Sequence, residues 1–213
     1  RMKPSTPILP SRTISGTKEL TGIALFTALA VVLSYFSVPA PYAGFLFYEI
    51  WEIPIVIAFL MLGVRAGIIV TLVNAFVLFL VKPGYLASGP LYNLIAIFVM
   101  LLGVGVAHRI VLRTKKSIGI LILAATLLGL SIRTVVMTFA NYSLLPFPPP
   151  IGFSLPQSSI LPLLPLIAIF NASVALYTIP VSYWVLRSVA SRYKFVLAFP
   201  LSNLAKQPSN VTT

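Results

Sequence analysis

The sequence predicts an all-α, polytopic membrane protein: a bundle of six transmembrane helices with both termini inside. Three observations predict it. Hydrophobic residues fill 59% of the 213 positions and charged residues only 8%, with a mean hydropathy of +1.03; a water-soluble domain carries about 25% charged residues. Apolar runs of about 20 residues, long enough to cross a hydrocarbon core about 30 Å thick, recur along the chain. The 15 Lys and Arg residues lie mostly in short gaps between those runs. That is the pattern of cytoplasmic membrane loops. It excludes a nucleic-acid surface in spite of the net charge of +12, because such a surface clusters its cations on one soluble face.

Residues 1–18, rich in Pro, Ser, Thr and basic side chains, predict a flexible cytoplasmic tail. The first span covers 20–37. A basic stretch ahead of an apolar run also opens secretory signals, with Val38-Pro39-Ala40 as a cleavage region. The run exceeds the 7–15-residue core of such signals, however, and five further spans follow it. Within this span Ala24 and Ala28 stand four residues apart, a small-residue stripe that lets another helix approach closely; Gly22 and Ala30 lie nearby.

The second and third spans, 50–63 and 66–81, share an apolar stretch from Ile53 to Val81 broken only by Arg65. One tilted helix would cover it, as would two spans joined by a tight turn at residues 63–67. Charge decides between them. Six spans place 13 of the 15 cations inside, Lys82 outside and Arg133 within a span. Five spans would put the Arg109, Arg113, Lys115 and Lys116 cluster outside, against the positive-inside tendency. Spans four to six are 91–107, 118–145 and 161–186. The membrane domain is therefore 19–190, followed by a second cytoplasmic tail, 191–213. The outer connections 38–49 and 146–160 are apolar and rich in Pro and aromatic residues. They are either lids packed over something or segments lying in the membrane interface.

Polar side chains inside spans are costly in lipid, so they face partners or a cavity. Asn93, Asn141 and Asn171 fall at similar depth toward the outer side, and Asn74 lies in span three. Taken as a set they point to a polar pocket open outward, whose amides can both donate and accept along the edge of a heterocycle. Taken singly, each also fits interhelical bonding worth about 1 kcal/mol. Arg133, Met137 and Asn141 share one helix face, which turns inward because Arg in lipid costs several kcal/mol. Arg133 holds carbonyls at a helix break, pairs with Glu49 or Glu52, or meets a substrate; the structural roles come first. Glu49, Trp51 and Glu52 open span two. The carboxylates suit a polar or cationic ligand, or simply complement the helix dipole; Trp51 suits stacking on a ligand or anchoring at the interface. His108, beside Arg109, reads as a headgroup-level residue.

Much chemistry is missing. No Walker loop occurs, so the chain does not hydrolyse ATP itself. Cysteine is absent, and there are three acidic residues and one His. An intramembrane enzyme would have to use Glu49 and Glu52, and proton coupling lacks acidic relays within the spans. A membrane scaffold using its amides as glue is the other alternative.

The strings Ala24-Leu25-Phe26-Thr27-Ala28, Glu52-Ile53-Pro54, Leu62-Gly63-Val64-Arg65-Ala66-Gly67, Arg133-Thr134-Val135-Val136-Met137, Asn141-Tyr142 and Phe170-Asn171 carry a resemblance over residues 18–190. The chain resembles the substrate-binding S component of energy-coupling factor (ECF) vitamin transporters, most of all the riboflavin-specific type. The resemblance implies a subunit of the cell membrane that captures a vitamin from outside. Uptake is then driven by a membrane coupling subunit and two ATPase subunits, with the vitamin as transported ligand and no cofactor. It implies Asn141 and Asn171 as ligand contacts, with Asn74 and Asn93 at matching polar positions. Tyr48 and Phe45 lie on the first outer loop, which closes over the site; Trp51 and Glu52 stand at its base. Ala24 and Ala28 would dock on the coupling subunit. Val174 and Val73 stand where the riboflavin type carries Lys, which widens the expected ligand to a related vitamin or precursor.

Overall fold

A computed structural model of the chain describes residues 16–81, 88–113 and 117–192. The expected tails, Lys82, Lys115 and Lys116 fall outside the described residues or at their margin. Six helices and one hairpin appear in the order α1 (Gly16–Leu33), β1 (Ser37–Ala40), β2 (Ala43–Glu49), α2 (Glu52–Leu62), α3 (Val64–Val81), α4 (Ser88–Arg113), α5 (Ile118–Leu144) and α6 (Gln157–Arg192). Five of the helices are long and apolar enough to cross a membrane.

α2 differs from the 50–63 span expected of it. It has 11 residues, rises about 16 Å at 1.5 Å per residue, and covers about half of a hydrocarbon core. Its composition explains why. Pro54 is tolerated in the first turn, where the amide has no helical partner to lose. The helix is then apolar on every side and is buried from Pro54 to Leu60, as a central helix must be. It stops at Gly63, whose φ of 104° is open to glycine and strained for other residues; the Gly63 amide donates to the Phe59 carbonyl. α3 starts at once, so the break falls inside the 63–67 turn.

α1 packs on α2 and α3, α3 on α4, α4 on α5, α5 on α6, and α6 on α2. α4 and α5 approach each other closely: a Cβ on Gly103 would stand 2.7 Å from the Gly129 Cα, and one on Gly129 would stand 2.5 Å from Ile179 of α6. In lipid, helices associate through such backbone proximity and van der Waals contact.

Residues 38–49, expected as a loop, form an antiparallel hairpin with Val38 opposite Tyr48 and Pro39 opposite Phe47, its register shifting between Pro39 and Ala40. Pro is admitted here because a two-stranded sheet consists of edges. Leu46 turns from the hairpin onto a small apolar cluster of Tyr92, Ala96, Met137, Ile160 and Ile167. The α5–α6 connection folds over the same cluster with Phe153 and Leu155, tied down by Phe153 and Leu155 amides donating to the Leu145 carbonyl at 3.2 Å each. A larger apolar cluster surrounds α2 and takes in Met100, Val104, Ala125 and Ile179.

Candidate functional site

Between the two apolar clusters lies a polar layer. Along α5, Ala125 belongs to one cluster and Met137 to the other, with Arg133 between them; along α6, Ile179 and Ile167 stand on either side of Asn171. Arg133 is 2% exposed and Glu52 4%. The guanidinium grips the Glu52 carboxylate with both terminal nitrogens: Nη2 donates to Oε1 at 2.8 Å and Nη1 to Oε2. Its Nε donates to Asn171 Oδ1 at 3.2 Å, and Nη1 also meets Met100 Sδ at 3.4 Å. Four helices therefore converge on one guanidinium. Of the roles open to Arg133, pairing with Glu52 is the one observed. A forked, bidentate pair suits Arg because its planar donors match a carboxylate.

The candidate amides divide. Asn171 is a member of this layer, and its Nδ2 donates to the Ile167 carbonyl at 2.9 Å. Asn141 is buried two turns above Arg133 on the same face, with Nδ2 donating to the Met137 carbonyl at 2.7 Å. Asn93 is half-buried on α4, next to Tyr92, whose buried hydroxyl has no hydrogen-bond partner among the described residues. Asn74 stands apart. It is buried in α3, and among the described residues neither of its amide atoms has a hydrogen-bond partner.

At the foot of the hairpin a second group assembles. Trp51, 2% exposed, sits in the larger apolar cluster rather than at an interface, and its Nε1 donates to Glu49 Oε2 at 2.5 Å. Tyr177 donates to the Glu49 carbonyl at 2.5 Å. Tyr48 shares hydrogen bonds with Tyr42 at 2.5 Å and with Ser173 at 2.8 Å, and its ring lies 5.1 Å from that of Phe170. Partial burial and then the bond to Tyr48 push the Tyr42 phenol up to about 12, so it keeps its proton throughout the physiological range. A cavity of about 640 Å³ opens here, lined by Phe36, Val38, Tyr48, Glu49, Ile50 and Tyr177 among others. The backbone of Phe45 is described as part of β2; its side chain lies outside the described residues. Ser173, Tyr177 and Met100 escaped the sequence reading, and Tyr42 entered it only as part of the outer connection 38–49. The first two lie on a face of α6 that looks lipid-facing until the hairpin is placed over it.

Ala24 and Ala28 are exposed on α1, on the side away from the inward residues Ile23, Thr27 and Ala30. They sit among exposed apolar neighbours, including Leu20 at 67% and Leu25 at 64%.

Among solved structures, the chain is similar to the S component of a bacterial ECF transporter, with a TM-score of 0.69 and 23% sequence identity over 84% of this chain and 98% of that one. The chain has the fold of an ECF transporter S component. At this identity the likeness establishes the architecture, and almost all of that S component's length has a counterpart here. No family model and no curated protein matches the sequence. The S-component fold accounts for a helical membrane bundle of this size, its connections packed over one end.

Proposed function

We propose that this chain is the substrate-binding subunit of an ECF-type importer in the cell membrane. In this reading the six helices form six spans, α2 being a short one, with both termini in the cytoplasm. The chain captures a vitamin, riboflavin or a related small molecule, from outside. A membrane coupling subunit docks on the Ala24 and Ala28 face of α1, and two ATPase subunits supply the energy. The observation that carries the reading is the S-component fold, which extends over nearly the whole of the similar chain.

The polar layer supports the reading. Arg133, Glu52 and Asn171 form a rigid floor beneath the hairpin and the α5–α6 connection, and Asn141 stands above it. Tyr48 and Phe45 of the hairpin, Trp51 at its foot and Asn93 of α4 remain proposed ligand contacts, as does Asn74, which stands apart from this layer. A transporter subunit that delegates ATP hydrolysis also needs no catalytic constellation of its own.

Ligand binding by detergent-purified protein tests this directly, because a ligand that binds only the folded state raises its melting temperature. Riboflavin and other vitamins should be screened against the wild type and the Asn141→Ala and Asn171→Ala variants. Saturable stabilisation by a vitamin that weakens at least tenfold in both variants is expected. Unaltered binding in both removes the pocket from this place. The Asn171–Arg133 bond also favours a second reading, a scaffold with its amides as glue. That reading predicts loss of stability in the variants and no saturable ligand in the wild type.

A further inference from the structure

Tyr92 carries a polar atom that the bundle does not satisfy. The residue is 8% exposed, and its hydroxyl has no hydrogen-bond partner among the described residues. Thr71, Thr126 and Thr138 place their hydroxyls on the carbonyl four residues back in their own helices. A phenol has no such recourse, because its ring carries the hydroxyl away from its own backbone. A buried polar group left unpaired costs stability, and in a native structure it calls for an explanation.

The register of α4 against α5 supplies one. Two contacts fix it: Arg133 Nη1 meets Met100 Sδ, and a Cβ on Gly103 would meet the Gly129 backbone. The two helices therefore run antiparallel. Tyr92 stands eight residues beyond Met100 toward the hairpin, and Asn141 eight residues beyond Arg133, a rise of about 12 Å on each helix. Tyr92 and Asn141 thus share one depth. Asn141 Nδ2 donates to the Met137 carbonyl, while its oxygen has no partner among the described residues. These two incomplete hydrogen-bonding groups stand at an apolar cluster that includes Met137, Ile160 and Ile167, with Leu46 and Phe153 packed over it. The Phe153 ring lies 6.3 Å from that of Tyr92, tilted by 45°.

We propose that Tyr92 is a ligand contact, and that the ligand presents to it a lactam or imide edge, a ring carbonyl beside a ring N–H. The Tyr92 hydroxyl donates to the carbonyl, and the Asn141 oxygen accepts from the N–H. The proposal rests on the reading of the chain as a ligand-binding subunit and narrows its substrate class to flat heteroaromatic rings with such an edge. Leu46 and Phe153 lift to admit the ring, whose faces replace their apolar contacts. The phenol's hydrogen bond is then made only in the complex, so the hydroxyl weakens the unliganded fold and strengthens binding.

Lumiflavin, which carries an imide edge, and biopterin, which carries a lactam edge on a smaller ring, are the probes, each beside its N3-methylated counterpart, which lacks the N–H. Their affinities for the purified full chain and for the Tyr92→Phe variant are measured by titration calorimetry in detergent, and both proteins are melted without ligand. The expected result is saturable binding of at least one probe to the wild type, weakened tenfold or more by Tyr92→Phe and likewise by N3 methylation. Unliganded Tyr92→Phe should melt no lower than the wild type. Failure of both probes to bind the wild type overturns the proposal, as does binding indifferent to Tyr92→Phe or to N3 methylation. A lower melting temperature of the unliganded variant also overturns it, because the hydroxyl then has a structural partner. Vitamin uptake by cells expressing the chain with its partners separates the two levels. Equal uptake by wild type and Tyr92→Phe leaves the transporter reading standing and removes Tyr92 from the site. Probe binding that depends on Tyr92, with no vitamin taken up, upholds the contact and removes the importer.

Discussion

Arg133 shows what a single charged residue does inside an apolar bundle. Its guanidinium is buried on α5 and meets Glu52 of α2, Asn171 of α6 and Met100 of α4. Removing one member of a buried ion pair leaves the other charge without compensation, a loss of about 3–5 kcal/mol, whereas replacing both with apolar groups is often neutral. Glu52→Leu alone and Arg133→Met alone should each lower the melting temperature sharply. The double variant should recover most of the loss, and thermal unfolding of the three proteins measures this. A double variant as unstable as the two singles combined would mean that the residues act independently. The pair was one of several partnerships open in the sequence, since only three carboxylates exist. Choosing among them required the depth of α2, which no local pattern encodes.

At the scale of elements, the α4–α5 crossing is the least forgiving contact. With the Gly103 and Gly129 backbones this close, Gly129→Leu must push the helices apart or collide with Ile179. Overpacking of this kind costs about 1–3 kcal/mol or more, and a lowered melting temperature with normal membrane insertion is the expected signature. Gly63→Ala places a Cβ at a φ of 104°, a strain of about 1–3 kcal/mol. Destabilisation is expected there as well. The exposed face of α1 should behave differently. Ala24→Trp adds bulk where nothing in the bundle is displaced, so ligand binding should persist while uptake with the partner subunits fails; normal uptake would remove the docking role.

These elements were unevenly legible. The long helices could be read because an apolar run of membrane length admits few other structures. The turn at Gly63 could be read from its glycines and from Arg65. The hairpin could not: Pro39, Pro41 and Gly44 are punctuation that reads as loop, and its stability comes from tertiary support by Ser173, Tyr177 and Phe170 of α6. Tyr177 and Ser173 were hidden for the same reason. On a helix apolar on all sides, nothing local separates the face that meets lipid from the face that a distant strand covers.

For the whole molecule, charge divides the two ends of the bundle. Among the described residues, the remote end holds Lys18, Glu19, Arg65, Arg109 and Arg187, while the hairpin end holds Glu49 and the Glu52–Arg133 pair. The proposed topology, with the cationic end inside as the positive-inside tendency favours, puts the hairpin and the α5–α6 connection outside, where a captured ligand would arrive. The sequence contains no cysteine, so single cysteines can be introduced one at a time without a background. Ser158, exposed at the start of α6, and Ser117, exposed at the start of α5, lie at opposite ends. In intact cells a membrane-impermeant maleimide should label Ser158→Cys, and it should reach Ser117→Cys only after the membrane is opened. The reverse pattern would place the cationic end outside. It would also turn the hairpin-end cavity toward the cytoplasm, where it could not receive a vitamin from the medium.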